Sequence, residues 1–390
     1  MIGSTRRVLP AAFAVFALAW AAQDARASGA CCANMLPHTH ALDAFIDDAS
    51  TPAVTPASTS FATATGSFDI VINAGSTLSA NAAALAAFNR AAAQWESFIS
   101  DPIQVTISAD LAPLAPNVLG SAGSVIITRH YSIVRDAMVF DASDEADDAV
   151  VAALPTSPNF ILPDDGIPTT DLRMTRANMK ALGLLASDTA TDATITLSST
   201  FSFDFDNSDG VSAGAWDFET IAAHEIGHAL GFQSAVDELN TGNTVFARPM
   251  TLDLFRFEDG GANDPGTLAE FTIMPRNLVP GATAITDDLT NEWRMSTGTT
   301  GAGYPGADGR QASHWKADEL TGELIGVLDP TIPSARIYAI SAADLRALDL
   351  IGYEIAIPEP GAVTLLGIVT LLFSTRRHAR FSGHVHSDRG

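Results

Sequence analysis

Cysteine is nearly absent. Cys31 and Cys32 are the only two in 390 residues, and being adjacent they cannot build a disulfide framework. Basic residues are scarce too, 21 Lys and Arg against 45 Asp and Glu, for a formal charge of −24. A chain so acidic repels phosphate, which argues against nucleic acid as a partner and favours solubility and cation binding. No internal repeat is visible. What is present is a hydrophobic fraction of 47% with Ala- and Gly-rich stretches, the composition of a globular protein. The length allows one large domain or two ordinary ones.

The densest chemistry lies in Asp217 to Phe232, which contains His224-Glu225-Ile226-Gly227-His228. In a helix the two histidines, four residues apart, share one face and can bind a single metal ion. This is the H-E-x-x-H zinc pattern. Glu225 sits about 100° around the helix from His224, placed to work on a metal-activated water rather than to ligate, and its expected role is general base. Asp217 is a natural N-cap, Glu219 suits the first turn, and Gly231 is a natural stop. Gly227 costs roughly 1 kcal/mol against Ala inside a helix, so something is expected to pack against the backbone there.

Catalytic zinc usually takes three protein ligands. The run from His224 to Gly231 resembles that of the metzincin proteases, whose pattern implies a third histidine at position 234. Position 234 is Ser234, a poor ligand, so the candidates are a carboxylate nearby, Asp237 or Glu238, or a distant residue. Of the nine histidines, only His314 lies between the motif and the C-terminal tail. Ser313-His314-Trp315 is similar to the segment that carries the third ligand in leishmanolysin-type metzincins, after a long insertion. Gly326 to Pro330 and Ile340 to Tyr353 resemble the turn and closing helix of that group, with Leu328 where a Met is expected; the two side chains are nearly isosteric.

The resemblance implies an α+β, metzincin-like zinc protease fold: a twisted mixed sheet backs the motif helix, and a loop-rich C-terminal subdomain follows. It also implies one catalytic Zn2+ held by His224, His228 and His314, peptide-bond hydrolysis with Glu225 as base, and protein or peptide substrates. In such proteases the last strand before the helix borders the cleft. The alternative is a non-catalytic surface or matrix protein with a structural zinc.

Both ends carry targeting patterns. Arg6-Arg7, the apolar run Val8 to Ala22 and Ala25-Arg26-Ala27 form a secretory signal, residues 1–27. Pro358-Glu359-Pro360, thirteen largely apolar residues from Gly361 to Phe373 and the basic cluster Arg376 to Arg380 resemble a PEP-CTERM sorting tail, with an unusual extension to Gly390. The apolar run is shorter than the roughly 20 residues of a bilayer-spanning helix. That resemblance implies an exosortase partner, transient membrane anchoring, and secretion to the surface of a Gram-negative bacterium. The expected organisation is thus a signal (1–27), an N-terminal segment or propeptide (28–66), a catalytic subdomain (67–231), a second subdomain (232–356) and a tail (357–390). In the N-terminal segment Cys31, Cys32, His38 and His40 are candidates for latency by metal chelation, an incidental polar segment being the simpler reading.

Elsewhere, strands are expected at Phe68–Ile72, Pro102–Ile107, Ser124–Thr128, Ala193–Leu197, Phe201–Phe205 and Met250–Phe257. Helices are expected at Asn81–Ile99 and Asp171–Leu185. Asp204, Asp206, Asn207 and Asp209 are weak candidate Ca2+ ligands; their spacing is not that of an EF-hand loop, and a solvated turn is preferred.

Overall fold

In Gln104–Ala112 and Ala193–Ser198 every second residue is apolar, which drives one sheet face towards a core. A computed structural model describes residues 67–144 and 149–356. Strands Asp69–Ala74, Gln104–Ala112 and Ala193–Ser198 run parallel, and Gly120–Ser124 closes the sheet antiparallel at its edge. Ile70, Val105, Ile107, Ala109, Ile195 and Leu197 are buried, while Asp69 and Thr194, which point to the other face, are exposed.

Two helices cover the apolar face. Ala82–Glu96 starts where Asn81 accepts a hydrogen bond from the Ala84 amide, and buries Ala84, Ala87, Phe88, Ala91, Ala92 and Trp95. Trp95 Nε1 donates to the Ala223 carbonyl at 2.9 Å, binding this helix to Phe218–Leu230, which carries the His-Glu motif. Beyond it, the chain is loop-rich. It contains a three-stranded antiparallel sheet (Arg256–Glu258, Ala284–Asp287, Glu292–Met295) and ends in the helix Ala342–Asp349. The protein is therefore mixed α+β with small sheets, as expected, and residues from Phe68 to Tyr353 share one hydrophobic core.

Several local expectations are corrected. Asp171–Thr175 is a strand paired with Ile126–His130, and the helix is only Arg176–Ala181, because Thr175 caps it through the Asn178 amide. Thr251–Phe255 is a 3-10 helix: Asp253, buried, draws in the Met250 and Ala235 amides and the Ser234 hydroxyl. Ser124–Thr128 breaks at Val125, whose amide bonds to Asp192, so that the flanking strands join different sheets. Only Phe203–Asp204 of 201–205 pairs, with Trp216–Asp217. The strand at the sheet edge beside the motif helix is Gly120–Ser124, not the last strand before that helix.

The expected signal, the N-terminal segment with Cys31, Cys32, His38 and His40, and the tail lie outside the described residues. Among the described residues no helix is long and apolar enough to cross a membrane.

Candidate metal centre

The motif helix is built as its residues dictate. Asp217 accepts the Thr220 amide at 3.0 Å and the Thr220 hydroxyl at 2.5 Å, and Glu219 in the first turn is held by Arg90 at 2.8 Å and by Gln94. Gly231 ends the helix with φ of 132°, the left-handed side that favours glycine. All thirteen residues of the helix are buried. At Gly227 an added Cβ would stand 2.9 Å from Leu328 and 3.3 Å from Trp95, so the absent side chain makes room for both.

His224, His228 and His314 meet in the interior. Their Nε2 atoms are 3.1 Å (His224–His228), 3.2 Å (His224–His314) and 3.1 Å (His228–His314) apart. Each Nδ1 faces a main-chain carbonyl: Val327 at 2.8 Å for His224, Phe232 at 2.9 Å for His228 and Gln311 at 3.1 Å for His314. A carbonyl only accepts, so each Nδ1 carries the proton and each Nε2 turns its lone pair inward. Burial pushes His224 down to about 4, which keeps it neutral at ordinary pH. Three lone pairs facing one another repel unless a cation lies among them. Tetrahedral zinc with bonds of about 2.05 Å needs nitrogens about 3.3 Å apart, close to the spacing seen.

The three histidines could therefore hold a metal ion, and they are the one such group among the described residues. Neutral imidazoles suit zinc, copper, nickel or iron, and three of them leave a coordination position for water or substrate.

Glu225 is buried beside the edge strand. A Cβ on Gly120 would come within 2.5 Å of its Oε1, so the strand must open with glycine for the carboxylate to lie where it does. The helix end is joined to the same strand by Ser124, whose hydroxyl donates to the His228 carbonyl at 3.3 Å, and by Gln233, which donates to both.

The other third-ligand candidates are engaged elsewhere. Asp237 accepts the Thr299 and Ala312 amides, each at 2.6 Å, and so holds the segment that delivers His314. Glu238 pairs with Arg173 at 2.7 Å. Ser234 donates its amide to the Ser313 hydroxyl at 2.9 Å and its own hydroxyl to Asp253 at 2.6 Å. Three of the four weak calcium candidates are also committed locally. Asp204 accepts the Asp206 and Ser212 amides, Asp206 the Ser208 amide, and Asn207 donates to Asp217.

Reading the residues alone missed Gly120 and Asp344, the latter a buried acceptor for Trp315 Nε1 at 2.7 Å. A glycine opening a strand signals close approach by another group, but not by which one. Comparison with family models, curated proteins and solved structures found no match to this chain.

Proposed function

We propose that this protein is a secreted zinc-dependent metalloendopeptidase. The observation that carries the reading is the convergence of three buried imidazoles, each oriented by a carbonyl, with Glu225 next to the first of them in the chain. The sequence resemblance to leishmanolysin-type metzincins supports it. Zinc bound there would supply Lewis acidity and a water acidified towards neutral pH. His224, His228 and His314 bind and orient; their protons stay on Nδ1, each donated to a main-chain carbonyl. Glu225 takes a proton from the attacking water and returns it to the leaving amine. An extended peptide would pair with the open side of edge strand Gly120–Ser124, next to Glu225. Export by residues 1–27 and sorting by an exosortase acting on 357–390 complete the proposal.

A second reading, a structural zinc in a non-catalytic surface protein, is favoured by one feature: His224, Glu225 and His314 are all 0% exposed. The two part on a single comparison of wild type with Glu225→Gln on a denatured protein substrate, with and without chelator, alongside zinc content. Chelator-sensitive cleavage that the variant loses at equal zinc establishes the peptidase. Stoichiometric zinc with no cleavage by wild type favours the structural reading.

A further inference from the structure

We infer that Asp344, thirty residues beyond His314, is a positioning residue that orients two of the three imidazoles and thereby sets metal affinity. The inference rests on the metal-centre reading above. Asp344 is buried on the closing helix, and each of its oxygens receives two N–H donors. Oδ1 accepts Trp315 Nε1 at 2.7 Å and the Leu328 amide at 3.3 Å; Oδ2 accepts the Val327 amide at 2.8 Å and the Ser341 amide at 2.7 Å.

These partners lead to two different ligands. Trp315 follows His314 in the chain, and its side chain is fixed at one end by Asp344 and packed against Phe232, whose ring centre lies 4.7 Å away. The carbonyl of Val327 holds His224 Nδ1, and Asp344 grips the amides on both sides of that carbonyl, those of Val327 and Leu328. Phe232 in turn offers its carbonyl to His228. One carboxylate therefore pins the neighbour of His314 and the main-chain acceptor of His224. Groups that orient metal ligands in this way affect affinity almost as ligands do.

Asp344 also belongs to a capping box, its amide donating to the Ser341 hydroxyl at 3.1 Å, and that role must be separated from positioning. Two substitutions do so. Asp344→Asn keeps the shape but replaces one oxygen by NH2, and either orientation of the amide sets that NH2 against two N–H donors. Ser341→Ala removes the cap hydroxyl and leaves all four donors to Asp344 in place.

The test uses the full chain, with zinc affinity measured by competition against a chromophoric chelator and the d–d absorption of the cobalt(II) form as a reporter of ligand geometry. Asp344→Asn is expected to bind zinc about 10- to 100-fold more weakly, with a shifted cobalt spectrum. Ser341→Ala should melt earlier but keep wild-type affinity and spectrum. A folded Asp344→Asn protein with wild-type affinity and spectrum overturns the proposal. Should that variant not fold, Trp315→Phe, which deletes one donor to Oδ1, decides: weaker zinc and an altered spectrum support positioning, and no change in either overturns it. A wild-type chain that takes up neither metal removes the metal-centre reading itself, an outcome distinct from wild-type binding that the variants leave unaltered.

Discussion

Leu328 lies against the bare backbone of Gly227, so close that a Cβ there would stand 2.9 Å from one of its methyl groups. Helix propensity alone would make Gly227→Ala stabilising by about 1 kcal/mol. Contact with Leu328 reverses the sign, since overpacking a filled core costs about 1–3 kcal/mol. Gly227→Ala should therefore lower the melting temperature and weaken metal binding, and Leu328→Ala, which costs about 2–5 kcal/mol alone, should cost less in the Gly227→Ala background. Leu328→Met, nearly volume-conserving, should be close to neutral in melting temperature and in metal binding. A Gly227→Ala protein more stable than wild type would show that the helix and Leu328 separate easily.

Gly120→Ala directs a methyl group at the Glu225 carboxylate. On the proposed peptidase reading, the expected outcome is loss of cleavage with the bound metal retained. A displacement of about 1 Å in a catalytic group can cost about 100-fold in rate. Zinc analysis beside kcat/KM checks this, and loss of zinc with activity would place the damage at the histidines instead.

Asp237→Ala leaves the Thr299 and Ala312 amides without their acceptor in a buried place. The cost expected is about 1–3 kcal/mol for each buried group left unpaired. Denaturant unfolding should show the loss, and metal analysis of the folded protein should still find zinc. His314→Ala should do the reverse, losing zinc first. Zinc lost equally in both variants would make Asp237 part of the coordination.

The pH dependence has a definite sign. Burial, opposed in part by the Glu354 amide, raises the Asp101 carboxyl from 3.8 to about 7. Between those values the folded chain holds a proton that the unfolded chain has released, so the stability from this group is greatest in acid and is lost as pH rises to about 7. Burial likewise raises Asp329 to about 7 and Asp287 to about 6, and they act in the same direction. Asp101→Asn should gain on wild type by on the order of 1–3 kcal/mol between about pH 4 and about pH 8. Chemical unfolding of both proteins at several pH values measures the difference; a constant gap would mean that Asp101 titrates normally.

The motif helix was legible in the sequence because everything that defines it is local: the Asp217 cap, the four-residue spacing of His224 and His228, and the Gly231 stop. His314 was legible by elimination and by its Ser and Trp neighbours, although the reason that Asp237 is no ligand lies in the Thr299 and Ala312 amides. What could not be read depends on contacts across long stretches of chain. The apolar pattern at 250–257 resembles a strand, but Ser234 and Ala235 recruit Asp253 and bend it into a 3-10 turn. Gly120 and Glu225 meet over 105 positions of chain, and neither residue alone announces the other.

The carbonyls of Val327, Phe232 and Gln311 have a consequence for how the site can drift. A side-chain replacement cannot delete a main-chain oxygen, so a change at these positions that keeps the packing of buried Val327 and Phe232 and the chain path still leaves each imidazole its acceptor. The path is where the vulnerability lies. Substitutions that bend it, such as proline after one of these residues, should damage the centre more than polarity changes at the same positions. Relatives of this chain could keep the metal geometry while retaining little recognisable sequence around it.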